Sequence, residues 1–429
     1  MANGGAGKRW STVFIAVLTA GVLLVPVGGQ AAGSPADSEW KLGQALGDTA
    51  SRLFYDVSAT GPRDAWTVGR KAAAGGTGFE AAIEHWNGTE WSDVPAADTG
   101  GRPVQLQLVS AHAPDGALAA GVYLDAKPQS PPAGVERLRP GAAVAAAGTP
   151  IVLEHWDGKA WSTVARPAPP EGWLQFPGDL KSFAADSAWL TTMDWNPSAN
   201  EYRYQLEHWD GAQWRTVPLP AAPGGGPVEP WGIDGTGPGD VWVTAGTRDA
   251  GGKPAPLLYH WNGTEWQQTA PPVPSEHPAG WLVNRVVAAG PGSVYAFGKT
   301  DEDFPSATMA VRWDGARWQP MPAVPVGEVN AAGADGAGAL WVGGWPQGGR
   351  HSVLARWSGS AWVTGPLPPE VAAQAGENGQ SSILGLERVP GTAGIIASGL
   401  VADEEWTKDW GLLVTRLIDV HSGQTAAGG

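Results

Sequence analysis

The chain is 429 residues long, with 62 Gly, 38 Pro, 25 Trp, no Cys and 16% charged residues. Glycine and proline at this density, without a collagen-like period, exclude a helical bundle or a Rossmann-type enzyme. A formal net charge of -15 repels phosphate backbones and anionic membrane surfaces, so nucleic acid is not an expected partner.

Lys8 and Arg9 precede an apolar run from Val13 to Val27, and the small residues Gly28, Gly29, Ala31 and Ala32 follow. That is the three-part pattern of a secretory signal, so residues 1–31 are expected to be a signal, residues 32–37 a short linker, and the protein secreted. The run is broken by Pro26 and falls short of the roughly 20 residues that span a bilayer, so stable membrane insertion is not expected. Without Cys there is no disulfide and no thiolate metal site, and the fold must be held by its core and by sheet closure.

One octapeptide recurs six times: EHWNGTEW at 84–91, EHWDGKAW at 154–161, EHWDGAQW at 207–214, YHWNGTEW at 259–266, VRWDGARW at 311–318 and ARWSGSAW at 355–362. Its leading Trp residues, Trp86, Trp156, Trp209, Trp261, Trp313 and Trp357, are spaced by 70, 53, 52, 52 and 44 residues, the range of a four-stranded propeller blade with variable loops. A second motif precedes each copy: DAWTVG at 64–69, GALAAG at 116–121, SAWLTT at 187–192, DVWVTAG at 240–246, SVYAFG at 293–298 and ALWVGG at 339–344. The repeat unit is therefore strand one, a turn, this strand two, a variable loop, strand three ending at Trp, a tight turn, and strand four.

Asn-Gly and Asp-Gly suit a two-residue type I′ turn, which pairs Trp86 with Thr89 and Glu84 with Trp91. Alternation puts the two Trp of each copy on one face, and His85 on the other beside Glu90. The structural Trp pairs are completed by Trp91, Trp161, Trp214, Trp266, Trp318 and Trp362. With Trp66, Trp189, Trp242 and Trp341 of strand two, these rings are expected to be wedge packing between blades, not a binding site.

The segment Ser381–Val420 supplies strands one to three of a further blade, and Ser38-Glu39-Trp40-Lys41-Leu42 has the strand-four pattern. The expected fold is all-β: one seven-bladed β-propeller over 38–420, closed by an N-terminal strand that completes the last blade, with a disordered tail at 421–429. Six blades with an independent tail is the alternative. The segment 122–150 is a long insertion, either a lid or disordered.

An apolar strand two ending in Gly, a third strand ending in aromatic-Asp and a fourth with Trp then Pro resemble the kelch and galactose-oxidase class of propellers. The resemblance covers Trp40 to about Val420 and is closest to compact Trp-rich propellers of secreted bacterial proteins. The Gly doublet occurs only at Gly343-Gly344, and WDGxxW is tighter than the kelch spacing. The oxidase copper site needs a Cys-linked Tyr, so oxidase activity is not implied and no cofactor is expected.

His85, His155, His208 and His260 share one octapeptide position that Arg312 and Arg356 take later, so no metal site is expected there. Asp157, Asp210 and Asp314 read as turn residues, and Asn87 and Asn262 meet glycosylation acceptor patterns only because the turn demands them. Asp301, Glu302 and Asp303 could hold calcium but read as solvated acids. Function is sought in residues the repeat leaves unexplained. Trp173, Trp231 and Trp281 stand at what reads as an equivalent start of strand one in three blades. Trp195 and Trp345, with Tyr123 and Trp406, fall by the loops between strands two and three, and Asp194 and Glu229 accompany them. Rings with nearby acceptors suit a sugar face or a polypeptide. The expected function is a secreted, non-enzymatic, monomeric propeller that binds a glycan, a cell-envelope polymer or a partner protein. The alternative is a carbohydrate-active hydrolase or lyase with two carboxylates roughly 5–10 Å apart.

Overall fold

A computed structural model describes residues 40–73, 78–124, 151–166, 168–249, 251–273, 280–300 and 308–416. The expected signal, linker and tail lie outside the described residues, as do 125–150 of the insertion and Asp301, Glu302 and Asp303. Seven antiparallel sheets of four strands form a seven-bladed β-propeller, with strand one of each blade innermost. Blades 1 to 6 take their strands in chain order; blade 7 combines Gln380–Arg388, Ile395–Ala402 and Asp409–Arg416 with Lys41–Leu42 as its fourth strand. Lys41 pairs with Thr415 and Leu42 with Val414, so the N-terminal strand closes the ring. Thr49 Oγ1 adds a bond to the Gly411 carbonyl.

Each of the seven interfaces has its own apolar cluster, and the Trp pairs explain how. The strand-two ring of one blade inserts against the octapeptide pair of the next. Trp66 lies 4.9 Å from Trp156 and 5.3 Å from Trp161, centroid to centroid. Trp189 meets Trp261 and Trp266 at 6.3 and 5.3 Å, and Trp242 meets Trp313 and Trp318 at 5.6 Å each. The second ring of each pair is met edge-on, at 84–89°, the arrangement the ring quadrupole favours. Where strand two carries Leu118, Tyr295 or Ile396, that side chain joins the cluster holding Trp209 and Trp214, Trp357 and Trp362, or Trp86 and Trp91. At the closing blade Trp40 meets Trp341 edge-on at 5.4 Å. Arg416 occupies the register position of the absent first Trp and lays its guanidinium 4.9 Å over the same ring.

The hairpins differ from the two-residue turn expected of Asn-Gly. Trp86 pairs directly with Trp91, His85 with Ser92 and Glu84 with Asp93, and the same Trp–Trp register recurs in blades 2 to 6. The turn is a four-residue loop. Asn87 Oδ1 accepts the N–H groups of Thr89 and Glu90 at 2.9 and 3.1 Å; Asp157, Asp210 and Asp314 cap their loops in the same way. Side-chain capping of two backbone donors outweighs the tighter turn, with Gly88 at φ +99° completing the reversal. The octapeptide His differs too. His85 and His260 bond Asp64 and Asp240 at 2.6 Å, not Glu90 and Glu265, and lie on Trp66 and Trp242 at 4.1 and 4.2 Å.

The glycine ending strand two has a steric cause. Strand one bulges after Phe54, Leu106, Val283 and Ile383, opposite Gly69, Gly121, Gly298 and Gly399. A Cβ at Gly69 or Gly298 would sit 1.7 Å from a strand-one carbonyl oxygen. Past the bulge, strand-one side chains hold the next blade's backbone: Asp56 accepts from Val109 N at 3.0 Å, Asp179 from Ile233 N and Asp234 from Ala288 N at 2.8 Å. Ser58 and Ser110 accept likewise from Ala111 and Ser182. These bonds pair buried backbone donors at the inner edge, where strands of different blades do not ladder.

Trp242→Ala should lower unfolding free energy by about 3–5 kcal/mol. Trp406→Ala, at a side chain 51% exposed, should change it by less than about 0.5 kcal/mol. Equilibrium denaturant unfolding of both variants checks this; comparable losses would contradict the inter-blade role of the strand-two ring.

Candidate functional site

The upper face of the ring carries the connections from strand four into the next blade and those between strands two and three. Trp173, Trp231 and Trp281 do not hold equivalent positions there. Trp173 immediately precedes strand one of blade 3 (Leu174–Ala184), Trp231 falls inside the bulge of strand one of blade 4 (Glu229–Gly237), and Trp281 opens strand one of blade 5 (Trp281–Gly290) two positions before its bulge. Trp281 is completely buried and its indole donates to the Pro272 carbonyl at 3.2 Å. It is a core residue and has no surface to offer a ligand. Trp345, at the boundary of blades 6 and 7, is half-buried and donates to the Ser381 carbonyl at 2.7 Å.

Tyr123 ends strand two of blade 2 (Gly116–Tyr123) and Trp406 lies between Ile395–Ala402 and Asp409–Arg416 of blade 7, whereas Trp173, Trp195, Trp231, Asp194 and Glu229 gather around one hairpin. Strands two (Ser187–Asn196) and three (Glu201–Trp209) of blade 3 pair without interruption from Ala188–Trp209 to Asn196–Glu201, so residues on opposite faces alternate along the whole hairpin. One face is an ionic network toward blade 2. Asp194 is completely buried and accepts from Gln175 Nε2 at 3.0 Å, Gln205 Nε2 at 3.1 Å, and Arg203 Nε and Nη2 at 3.1 and 2.6 Å. Arg166 joins Gln175 and pairs with Glu207. Asp194 therefore acts as an internal anchor, not as a ligand-facing acid. Arg203 emerges from it, side chain 45% exposed, with its guanidinium 5.0 Å over the Trp173 ring.

The other face is aromatic, toward blade 4. Trp195 and Tyr202, directly paired across the hairpin, hold their rings parallel within 15° at 6.3 Å. Tyr204 meets Trp231 at 4.6 Å. Tyr202 is 42% exposed, while Trp195, Tyr204, Trp231 and Glu229 are half-buried. Burial raises the Glu229 carboxyl above the usual range, against the pull of Arg248; burial, then the Glu229 charge, raises the Tyr204 hydroxyl. Sequence reasoning named Trp195 and Trp231 but missed Tyr202, Arg203 and Tyr204. The readable signal was alternation along EYRYQLEHW, where Tyr202, Tyr204 and His208 share a face.

Two other charged groups resemble active sites and are explained by packing. The first residue of the octapeptide is a buried carboxylate in blades 1 to 3: Glu84, Glu154 and Glu207. Glu154 accepts from Ala97 N at 3.0 Å and Glu207 from Arg166, each in the stretch where the preceding blade's fourth strand ends. In blade 4 Tyr259 takes the same position and donates to the Pro220 carbonyl at 2.8 Å. A position that repeatedly clasps the previous blade is a structural one. In the axial channel, a cavity of about 110 Å³ lined by strand one of all seven blades, Lys181 of blade 3 lies 3.0 Å from Asp234 and 3.7 Å from Glu387 of blade 7. Burial alone would lower the Lys181 ammonium pKa, but the two acids outweigh it and hold the group charged. The triad braces the ring across its axis. Among the described residues no group of three His, Asp or Glu side chains could hold a metal ion, and no helix is long and apolar enough to cross a membrane.

No protein-family model and no curated protein matches the sequence. Similar solved structures include the SapL1 lectin in complex with α-methyl fucoside, at 15% identity over 75% of this chain and 97% of that one, with a TM-score of 0.40. The α-L-arabinofuranosidase Arb93A from Fusarium graminearum is 12% identical over 75% and 96%, with a TM-score of 0.45. The β-propeller domain of the Trilobed protease from Pyrococcus furiosus is 12% identical over 89% and 99%, with a TM-score of 0.43. At these identities the likeness is one of fold.

Burial pushes the Glu154 carboxyl from 4.5 up to about 7, against its bond from Ala97 N. A carboxyl whose folded pKa is raised holds its proton more tightly when folded, so its contribution to stability is lost as pH rises from about 4.5 through 7. Glu154→Gln keeps an acceptor for Ala97 and removes the charge. Its unfolding free energy should match the wild type near pH 4.5 and exceed it by roughly 1–3 kcal/mol at pH 8. Urea unfolding at both values checks this, and a wild type at least as stable as the variant at pH 8 would contradict it.

Proposed function

We propose that the protein is a non-enzymatic, glycan-binding propeller whose binding surface is the upper face at blades 3 and 4. The carrying observation is the Trp195–Tyr202 pair: two parallel rings on one face of a regular hairpin, one of them 42% exposed, beside the Tyr204–Trp231 pair. Motif rings elsewhere are consumed by wedge packing, whereas these belong to no repeat position. Flat apolar rings with Tyr hydroxyls and a carboxyl at their edges match the mixed apolar and hydroxyl surface of a pyranose. Binding is favoured over hydrolysis by the state of the carboxylates considered for catalysis. Asp194 is locked in an ion pair, and among the described residues Glu229 is the carboxylate beside the rings. Export by the leader at 1–31, which would place this surface in contact with extracellular or envelope polymers, is part of the proposal. So is the finer placement among kelch-like, Trp-rich secreted propellers.

Pull-down on insoluble peptidoglycan, chitin, cellulose and mannan tests this reading, with Trp195→Ala/Tyr202→Ala alongside and its folding confirmed by denaturant unfolding. The wild type should be retained on at least one polymer and the variant weakened about tenfold or more, roughly 1.4 kcal/mol, with no soluble sugar released. Undiminished retention of the variant would overturn the placement of the site. Release of oligosaccharides would favour the hydrolase or lyase.

A further inference from the structure

Trp406 is called for neither by the core nor by the turn in which it sits. Its side chain, in the loop between strands two and three of blade 7, is 51% exposed and belongs to none of the apolar clusters of the described residues. Its φ is +55°, in the left-handed region that a bulky residue enters only at a steric cost. Ser51 and Asn200 share that region. Asn200 lies in the corresponding loop of blade 3, between Ser187–Asn196 and Glu201–Trp209, and is of a type that tolerates the conformation. Asn or Gly at 406 would make the same reversal with less strain, so the turn does not explain the indole.

The loop around it is held in one shape. The Asp403 carboxylate accepts the N–H groups of Thr407 and Lys408 at 2.7 and 3.1 Å and the Thr407 hydroxyl at 2.6 Å. Asp403 N donates to the Lys408 carbonyl at 3.1 Å, and Trp406 N to the Asp403 carbonyl at 3.2 Å. Asn378 Nδ2 ties Glu404 to the segment before strand one at 3.0 Å, and Arg350 Nη1 donates to the Asn378 carbonyl at 3.0 Å. A strained residue fixed by its surroundings, with its ring outside the core, marks a place where the ring serves something other than this chain's own packing. Fixing the ring in advance also reduces the freedom lost when a ligand meets it.

We propose that Trp406 is a second sugar-stacking station, and that one polysaccharide chain is held at two sides of the channel mouth, by Trp406 on blade 7 and by Trp195 and Tyr202 on blade 3. The inference rests on the glycan-binding reading and adds that the ligand is a polymer engaged at two separate points. Both stations adjoin loops of the same class at the same end of the ring, three blades apart by the shorter way round. Beside the indole, Glu404, Glu405, Thr407 and Lys408 are exposed, so donors and acceptors for sugar hydroxyls border an apolar face. A chain held at one station meets the second as an intramolecular event, and its retention rises through effective concentration, a gain that a short fragment lacks.

Trp406→Gly tests the inference, because it removes ring and strain together and the two readouts should move in opposite directions. On peptidoglycan, chitin, cellulose and mannan, retention by the polymer that holds the wild type should weaken about tenfold or more. The urea unfolding midpoint should rise above that of Trp406→Ala, which keeps the strain. Soluble fragments of that polymer, too short to reach both stations, should lose less affinity than the polymer does. Undiminished retention of Trp406→Gly, with Trp195→Ala/Tyr202→Ala weakened, would overturn the inference and leave the glycan reading standing. A midpoint below those of the wild type and Trp406→Ala would make the ring a packing residue and overturn the inference. Equal losses for fragments and polymer would reduce the two stations to one contiguous site, which overturns the two-point hold. Failure of the wild type to be retained on any polymer would overturn both readings.

Discussion

A four-stranded blade has two apolar faces and no means of burying either alone; only its neighbours can. Everything else in this structure follows from that constraint. The ring places a wedge-shaped gap between each pair of sheets, and this chain fills the gap with indole rings, which combine large apolar area with defined edge-to-face geometry. At three interfaces one ring from strand two of a blade packs against two rings from the next, and Leu118, Tyr295 or Ile396 takes that place at three others. At the seam the chain runs out of octapeptides, and Trp40 and Arg416 together supply what a Trp pair supplies elsewhere. Ring closure and inter-blade packing are thus one interaction, since the strand that closes the last sheet also brings the last ring.

The inner edges need a different solution, because strands around the channel do not ladder with one another. There the bulge in strand one frees Asp and Ser side chains to accept N–H groups from the next blade, and Lys181 spans the axis between two acids. With packing and polar satisfaction assigned to repeated positions, residues outside them become informative. Those at the upper end of blade 3 are divided by strand alternation into an ionic face that anchors Arg203 and an aromatic face that exposes Tyr202. One hairpin therefore presents a charged and an apolar surface to the same side of the ring.

The blade count, the closing strand and the packing role of the Trp pairs were legible because each is a periodic property, repeated until chance is excluded. The turn register was not. Asn-Gly is compatible with both a two-residue turn and an Asn-capped loop, and the choice lies in the direct Trp86–Trp91 pairing. Trp173, Trp231 and Trp281 looked equivalent by their place after each hairpin, but loops of different length and the strand-one bulge displace them, and Trp281 turns inward. Asp194 and Arg203 illustrate a further limit. An acid beside a Trp reads as a site in sequence, whereas its burial against Gln175 and Arg203 depends on pairing between strands.

The central claim is a division of labour: repeated Trp residues hold the ring, and the non-repeated rings of the upper face meet the ligand. Indole N–H resonances report on each Trp separately, so the most direct measurement is a ¹⁵N–¹H titration of the protein with soluble fragments of the polymer that retains it. The account predicts shifts at Trp173, Trp195 and Trp231, with Trp66, Trp189 and Trp242 unmoved. Shifts confined to the octapeptide or strand-two indoles, with the upper-face three unchanged, would contradict it.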